Sequence, residues 1–474
     1  MELSTLPNEL QLSICELLDP ISSFHLAITS KAHWNLFTPV IQNHARLFAE
    51  NKSFKTSSTE HFVWDKYLSH TKCYGLYVRD LSVRNDRYWD SEVWAHFQLG
   101  SQSSRPPPEV YEPLVAAAHD IKLLYKQALE GTDSLWPNLE SAIQDGSPEP
   151  VVALLVHHLP YLKSFRYTDG ASGDPFSIFD LVDAVVRAYA SPVRAPHLPF
   201  QHLTTVMIAH WDTEFAVSAE VCLMFLAIPS VRTFVGWQMG GECDRDFAGS
   251  SKSRAKELLF ENSQFHPASL DRILMNIEAL ERFGYESGGA IVSYDDFMPK
   301  KVIKSLSDHA AHSLENLILN NSWEDDVGDD DDEDGKERMS LRGFKTLKTF
   351  QCNWSMLEPD LDDLDSDVDE ELSGRGFYTE DTESVTVFDP RSILPESLEA
   401  LHLKGPFTDE EWLTLTQLLE ESSDFTPNLK TIRLSKSGPN GPTHWTSPEA
   451  DEESDVAYPA WRKSLSALIQ GHRN

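Results

Sequence analysis

Positive charge is scarce in this chain. Its 40 Lys and Arg stand against 75 Asp and Glu, leaving a formal charge of −35 at neutral pH. A surface of that sign repels phosphate backbones and anionic headgroups, which argues against nucleic acid or a membrane as the main partner and favours a protein or peptide. Cysteine is also sparse: Cys15, Cys73, Cys222, Cys243 and Cys352 lie far apart, with no C-x-x-C pair and no disulfide framework, so they are expected to be reduced and buried. No run of about 18 apolar residues occurs, and the opening Met1-Glu2-Leu3-Ser4 has an acid where a secretory leader needs basic residues. The expectation is an intracellular protein, cytoplasmic or nuclear.

Catalytic signatures are missing as well. There is no G-x-S-x-G elbow, Gly-rich phosphate loop, H-E-x-x-H pair or Cys/His constellation at ligand spacing, so no catalytic residue, cofactor or metal ligand is assigned. His157-His158 closes the apolar run Val151 to Val156 and reads as a helix end whose two rings point apart. Asp330, Asp332, Asp334 and Gly335 imitate the start of a calcium loop, but Leu341 stands where the bidentate Glu belongs, so a solvated acidic loop is expected instead.

What the chain does have is apolar material, 41% of 474 residues, too much length for one ordinary core and suited to several domains or a repeat array. Near the start, Leu6, Leu10, Ile14, Leu17 and Leu18 recur at helical spacing behind Pro7 and Glu9, which suit a first helical turn. Asp19-Pro20 should stop that helix. Ser22 or Ser23 would cap a second through Phe24, Leu26, Ala27 and Ile28, and a third short helix should follow Ser30. Three short helices in so few residues cannot bury this surface alone, so something must cover the remaining stripe.

Leu6-Pro7, Glu9-Leu10, Ile14, Leu17-Leu18, Pro20, Leu26, Ser30-Lys31 and Trp34 closely resemble the F-box pattern over residues 4–41. The resemblance implies docking onto a Skp-type adaptor and, through it, a cullin-RING ubiquitin ligase, with Leu6, Pro7, Leu10, Ile14, Leu17, Leu18 and Leu26 as the adaptor-binding residues. It also implies a receptor without chemistry of its own, since other subunits transfer ubiquitin.

Beyond the helices, apolar residues recur at positions 0, +3 and +5, the strand spacing of the leucine-rich repeat. Clear instances start at Leu162, Leu203, Leu280, Leu314, Leu347, Leu398 and Leu429, and weaker ones at Val78, Val231 and Ala255. A gap of 84 residues, from Val78 to Leu162, is expected to hide a degenerate unit near Leu135 to Ile143. Helical patterns intervene, as in Phe179, Val182, Val186 and Ala190, or Trp412, Leu415, Leu418 and Leu419, and Trp461 to Ile469 would cap the end. At +8, where the common repeat has Asn or Cys, stand Ser263, Ser322, Ser355 and Ser437, so the asparagine ladder is absent and the array resembles the irregular solenoids of fungal F-box proteins.

The expected architecture is α/β: a three-helix F-box at 1–50, a connecting segment with a first repeat-like strand at 51–130, and a leucine-rich-repeat-like solenoid at 131–474, parallel strands concave and helices convex. Acidic insertions at 324–337 and 358–371 and stretches at 101–108 and 437–455 read as exposed loops. The outward positions +1, +2 and +4 carry more bases than acids, and Lys163, Arg166, Arg232, Lys256, Arg282, Lys348, Lys430 and Arg433 are candidates for holding an acidic or phosphorylated protein substrate. The alternative is a scaffold for protein–protein contacts outside a ligase.

Overall fold

The computed structural model describes residues 3–57, 74–84, 108–126, 138–145, 147, 149–169, 176–189, 198–210, 215–249, 251–288, 298–321, 340–357, 393–405, 425–435 and 444–446. These residues build an α/β protein whose strands are almost all parallel. The chain divides into two compact units, one comprising Met1–Trp211, Met224–Arg232 and Phe247–Ser253, the other Asp212–Leu223, Thr233–Asp246 and Arg254–Asn474.

The first unit opens with α1 (Asn8–Glu16), α2 (Pro20–Ala27) and α3 (Lys31–Asn51). Asp19 and Pro20 start α2 as well as ending α1. The Asp19 carboxylate accepts from the backbone N–H groups of Ile21 and Ser22 at 3.0 and 3.1 Å, and Pro20 fills the first helical position, where its missing N–H costs nothing. Ser22 and Ser23 therefore lie inside the helix rather than capping it. Burial works to raise the Asp19 carboxyl, but the hydrogen bonds from Ser22 and Ile21 outweigh it and hold it below its ordinary value. Ser30 caps α3 through the His33 N–H at 3.0 Å, and that helix is long, running 21 residues. The three helices close on Cys15, Ala27, Phe37 and Val40, with Leu12, Leu26, Leu36 and Ile41 packed around them.

Directly after α3 comes β1 (Ser53–Ser57), which pairs in parallel with β2 (Asp80–Arg84); β3 (Ser164–Asp169) and β4 (Thr205–His210) extend the sheet in register Leu81↔Phe165↔Val206. Because β2 and β3 pair directly, no further strand stands between them in the sheet. The connection holds helices α4 (Pro108–Lys126), α5 (Leu139–Asp145) and α6 (Glu149–His157), and the supposed unit near 135–143 is, over its described part, α5, which buries Leu139, Ala142 and Ile143 at helical spacing. Pro108 opens α4 rather than closing a loop. The expected helix around Phe179 is α7 (Ile178–Tyr189). The buried Glu149 carboxylate ties three elements together, accepting from the Tyr167 hydroxyl and, at 3.0 Å, from the Ile178 N–H.

In the second unit β5 (Val217–Ser218) leads into α8 (Ala219–Leu226), whose last residues belong to the first unit. The sheet runs β6 (Thr233–Trp237), β8 (Glu257–Phe265), β9 (Arg282–Ser287), β10 (Asn316–Asn321), β11 (Thr349–Asn353), β12 (Ala400–Lys404) and β13 (Thr431–Ser435), all parallel, with β7 (Met239–Gly241) bridging β5 and β8. Helices α9 (Pro267–Met275) and α10 (Pro299–Ala310) connect β8 to β9 and β9 to β10. Within the stretch expected as an exposed excursion, β14 (His444–Thr446) pairs antiparallel with β13. All ten apolar signatures become strands, each opening at its +2 residue, with the described +3 residues buried throughout. One serine at +8 does part of the missing asparagine's work: fully buried Ser263 accepts from the Met239 N–H at 3.1 Å and donates to the Glu261 carbonyl at 2.9 Å.

The acidic insertions, the calcium-loop imitation within the first of them, residues 101–107, the pattern from Trp412 to Leu419, the closing segment from Trp461 to Ile469 and Cys73 lie outside the described residues. Cys15, Cys222, Cys243 and Cys352 are buried and free, with burial pushing their thiols up. Among the described residues no helix is long and apolar enough to cross a membrane.

Candidate functional site

Helix α1 turns Gln11 and Cys15 inward, Gln11 donating to the Leu6 carbonyl at 2.8 Å. That choice leaves Leu10, Ile14 and Leu17 outward at i, i+4 and i+7, 52%, 37% and 87% exposed. Helix α2 adds Ile21, Phe24 and Ile28 at i, i+3 and i+7, and α3 adds Trp34, whose ring meets Phe24 edge-on with centroids 6.3 Å apart; all four are exposed. The result is seven large apolar side chains left exposed on the three helices and their C-caps. Single exposed leucines are ordinary, whereas large apolar side chains left outward repeatedly at helical spacing are not.

The seven residues assigned to the adaptor therefore divide. Leu10, Ile14 and Leu17 lie on the open face, and Pro7 is exposed at the N-cap of α1. Leu6 and Leu18 are half-buried, and Leu26 packs against the helices' own core. Ile21, Phe24, Ile28 and Trp34 complete the face and were not among the assigned residues. For Ile21, Phe24 and Ile28 the signal was present as the i, i+3, i+7 spacing of α2.

The eight basic candidates also divide, by unit. In the second unit the bases at the strand rim are each met by an acid on the neighbouring strand: Lys256 with Glu281 at 3.0 Å, Arg282 with Glu257 at 3.7 Å, Lys348 with Glu315 at 3.1 Å and Lys430 with Glu399 at 2.9 Å. Each of these bases is matched by an acid, so they neutralise one another rather than forming a positive surface. The +4 positions there are not a charged surface either. Val235, Leu259, Gly284 and Ile318 are buried. Arg433 is half-buried on β13, in register with His402.

No protein-family model matches the chain, and no curated protein matches it.

Further along the strands of the second unit is a polar group that the sequence did not reveal. Gln351 donates to Asn320 at 3.1 Å, Lys404 donates to the same Asn320 oxygen at 3.2 Å, the His402 ring meets Gln351 at 3.1 Å, and Asn353 donates to the Asn321 carbonyl at 2.9 Å. Asn320, Asn353 and Lys404 all stand at +6 of their signatures, which was the available clue. These partners satisfy one another in a buried setting and hold the strand ends in place.

The first unit is different. Lys163 is exposed and Arg166 half-buried, and neither makes an ion pair among the described residues. Arg232 directs its guanidinium to the Pro229 and Val231 carbonyls at 2.9 and 2.7 Å. His157 and His158 do not point apart: their ring centroids lie 5.7 Å from each other, with Tyr125 edge-on to His157 at 5.9 Å. Among the described residues no group of His, Cys, Asp and Glu is arranged to hold a metal ion.

Proposed function

We propose that this chain is an F-box substrate receptor of a Skp–cullin–F-box ubiquitin ligase, in which the N-terminal helices dock the adaptor and the parallel strands form an irregular leucine-rich-repeat-like solenoid that captures a protein substrate. The observation that carries this reading is the open face of Leu10, Ile14, Leu17, Ile21, Phe24, Ile28 and Trp34, on the same helices whose sequence resembles the F-box. Fully burying a side chain of this kind is worth about 1.5–3 kcal/mol, so seven of them on one face favour a hydrophobic partner strongly. The repeat reading rests on ten strands that each open at the +2 position of a 0, +3, +5 apolar signature. Ubiquitin transfer would be the work of other subunits.

The test is co-expression of the full chain with a Skp-type adaptor, cullin and RING subunits, followed by affinity purification. Recovery of all four together, with ubiquitin conjugates on co-purifying proteins, is expected. Adaptor without cullin would favour a scaffold outside a ligase, and absence of the adaptor would overturn the F-box reading.

A further inference from the structure

Helix α3 carries a stripe from Trp34 to the first sheet. Trp34, Ile41, Ala45, Phe48 and the C-cap Lys52 stand at i, i+7, i+11, i+14 and i+18, which at about 100° per residue keeps them within about 40° of one line over roughly 27 Å of helix. Trp34, Ala45, Phe48 and Lys52 are exposed and Ile41 is half-buried. Lys52 is also the first residue of a row. The Arg79 N–H donates to the Lys52 carbonyl at 2.8 Å, Lys163 to Arg79 at 2.7 Å, Thr204 to Lys163 at 2.8 Å and Arg232 to Thr204 at 2.9 Å, each just before a strand begins. Lys52, Lys163 and Thr204 are exposed, and Arg79 and Arg232 half-buried.

The row holds four bases and no acid, on a chain whose total charge is −35. The same row in the second unit, Lys256, Glu281, Glu315, Lys348, Glu399 and Lys430, holds three bases against three acids, and its lysines are ion-paired at 2.9–3.1 Å. None of the four bases of the first unit makes an ion pair among the described residues. Two acids lie near them and are engaged elsewhere: Asp80 accepts from the Ser53 hydroxyl at 3.2 Å, and Asp19, whose charge acts on Tyr161, accepts from the Ile21 and Ser22 N–H groups.

The two arginines are set alike. Each uses Nη1 alone, Arg79 on the Leu76 and Val78 carbonyls at 2.9 and 3.0 Å and Arg232 on the Pro229 and Val231 carbonyls at 2.9 and 2.7 Å. Among the described residues Nε and Nη2 make no hydrogen bond, and that is an edge on which a guanidinium takes a carboxylate through two parallel bonds. The rings of Phe48 and Tyr161, 5.3 and 4.9 Å from the Arg79 guanidinium carbon, hold it further. Side chains fixed in this way have lost their freedom before a ligand arrives, which lowers the cost of binding one.

We infer that this row continues the helical docking surface: the protein that covers the exposed helical face passes along α3 over Phe48 and lays an extended, carboxylate-rich segment on Lys52, Arg79, Lys163 and Arg232. The inference rests on the reading of the helical face as a docking surface. Arg79 and Arg232 are three strand spacings apart, about 14 Å at about 4.8 Å each, and an extended chain advances about 3.4 Å per residue. The two carboxylates that meet them therefore stand about four residues apart.

Two probes test it on the full chain: a purified Skp-type adaptor, read by biolayer interferometry, and fluorescein-labelled Gly-Ser peptides bearing two glutamates about four residues apart or glutamines in their place, read by anisotropy. Lys52→Glu with Lys163→Glu, both at exposed positions, should weaken the adaptor about tenfold at low salt, chiefly through the on-rate, and by no more than about twofold at about 1 M salt, where the Debye length is about 3 Å. Leu17→Asp should lose the adaptor at either salt concentration. Lys304→Glu with Lys345→Glu, exposed bases of the second unit outside the row, makes the same change in net charge and should leave affinity within about twofold. An equal loss in that control, or adaptor binding indifferent to the reversal at Lys52 and Lys163, overturns the row and leaves the helical face standing. No adaptor binding by the unaltered chain refutes the helical reading and the continuity with it, and the peptides then decide the row alone: preference for glutamate that Arg232→Gln abolishes keeps it as a site for an acidic segment, and no preference overturns it.

Discussion

Replacing Leu17 with Asp separates folding from docking more cleanly than any other change on the helical face. Leu17 is 87% exposed, so in the isolated chain its side chain contributes little, and surface substitutions of this kind usually stay within about 0.5 kcal/mol. One folded-state cost can be identified: Leu17 is the C-cap of α1, where an added carboxylate opposes the helix dipole by about 0.3–1 kcal/mol. The melting temperature should therefore fall by only a few degrees. On an adaptor the arithmetic differs. Burying the exposed 87% of a leucine is worth about 1.3–2.6 kcal/mol, all of it lost, and the new carboxylate must in addition be desolvated without a partner at a cost of several kcal/mol. Together these amount to roughly a thousandfold or more in affinity. Leu17→Gln, which adds no charge at the helix end, should lose the apolar part alone, about tenfold to eightyfold. Biolayer interferometry against a purified Skp-type adaptor, with thermal melting of each variant, reads both quantities. Unchanged affinity for Leu17→Asp, with melting intact, would refute the assignment of this face to the adaptor.

Other expectations follow from packing and titration. His157 is held down to about 4 by burial and by the charge of His158, and its Nδ1 is enclosed without a hydrogen-bond partner. The unfolded chain therefore binds the proton first, so this contribution to stability is complete above about pH 6.5 and is lost as pH falls towards 4, roughly 3 kcal/mol in all; urea unfolding across that range should show it, and His157→Leu should flatten it. Gly240→Ala should destabilise more than Gly236→Ala, because the new methyl at 240 meets the Gln264 backbone oxygen at 2.5 Å while at 236 the nearest obstacle is the movable Met239 sulfur; equal melting temperatures would contradict this. Ser263→Ala strands the Met239 N–H in a buried setting and should cost about 1–3 kcal/mol by denaturant titration.

How much of this was legible beforehand depended on whether one residue's neighbours in sequence are also its neighbours in space. These ten strands were readable because +3 and +5 residues such as Phe165 and Tyr167 face the same core whatever pairs beside them. β1 was not, since Ser53-Phe54-Lys55-Thr56-Ser57 lacks the apolar triad and joins the sheet through the backbone pairing of α3's immediate continuation with β2. The helical stripe showed that α1 had apolar surface without showing which residues stay outside, because Leu10 and Leu18 are equally apolar and only the packing of Cys15 against Phe37 and Val40 decides. The charges behaved likewise. Acids and bases at +1 were visible, but that Lys256 faces Glu281 and Lys348 faces Glu315 follows from strand order, which local spacing does not encode.

Arg79 joins the end of α3 to the sheet of the first unit. Its backbone accepts from the N–H groups of Lys163 and Ser164 at 2.7 and 2.9 Å and donates to the Lys52 carbonyl at 2.8 Å, so it lies between the end of α3 and the strand that bears Arg166. Its guanidinium donates to the Leu76 and Val78 carbonyls and stacks over Phe48 of α3 at 5.3 Å and over Tyr161 at 4.9 Å. His44 of α3 meets the Tyr77 hydroxyl at 2.6 Å beside it. Helix α3 carries Trp34 in its first turn and reaches β1 one residue after Asn51, so about 25 Å of helix separates the apolar face from the sheet, with no flexible linker between. A change in the angle between helix and sheet would have to break the Arg79 stacking on Phe48 and its bond to the Lys52 carbonyl together.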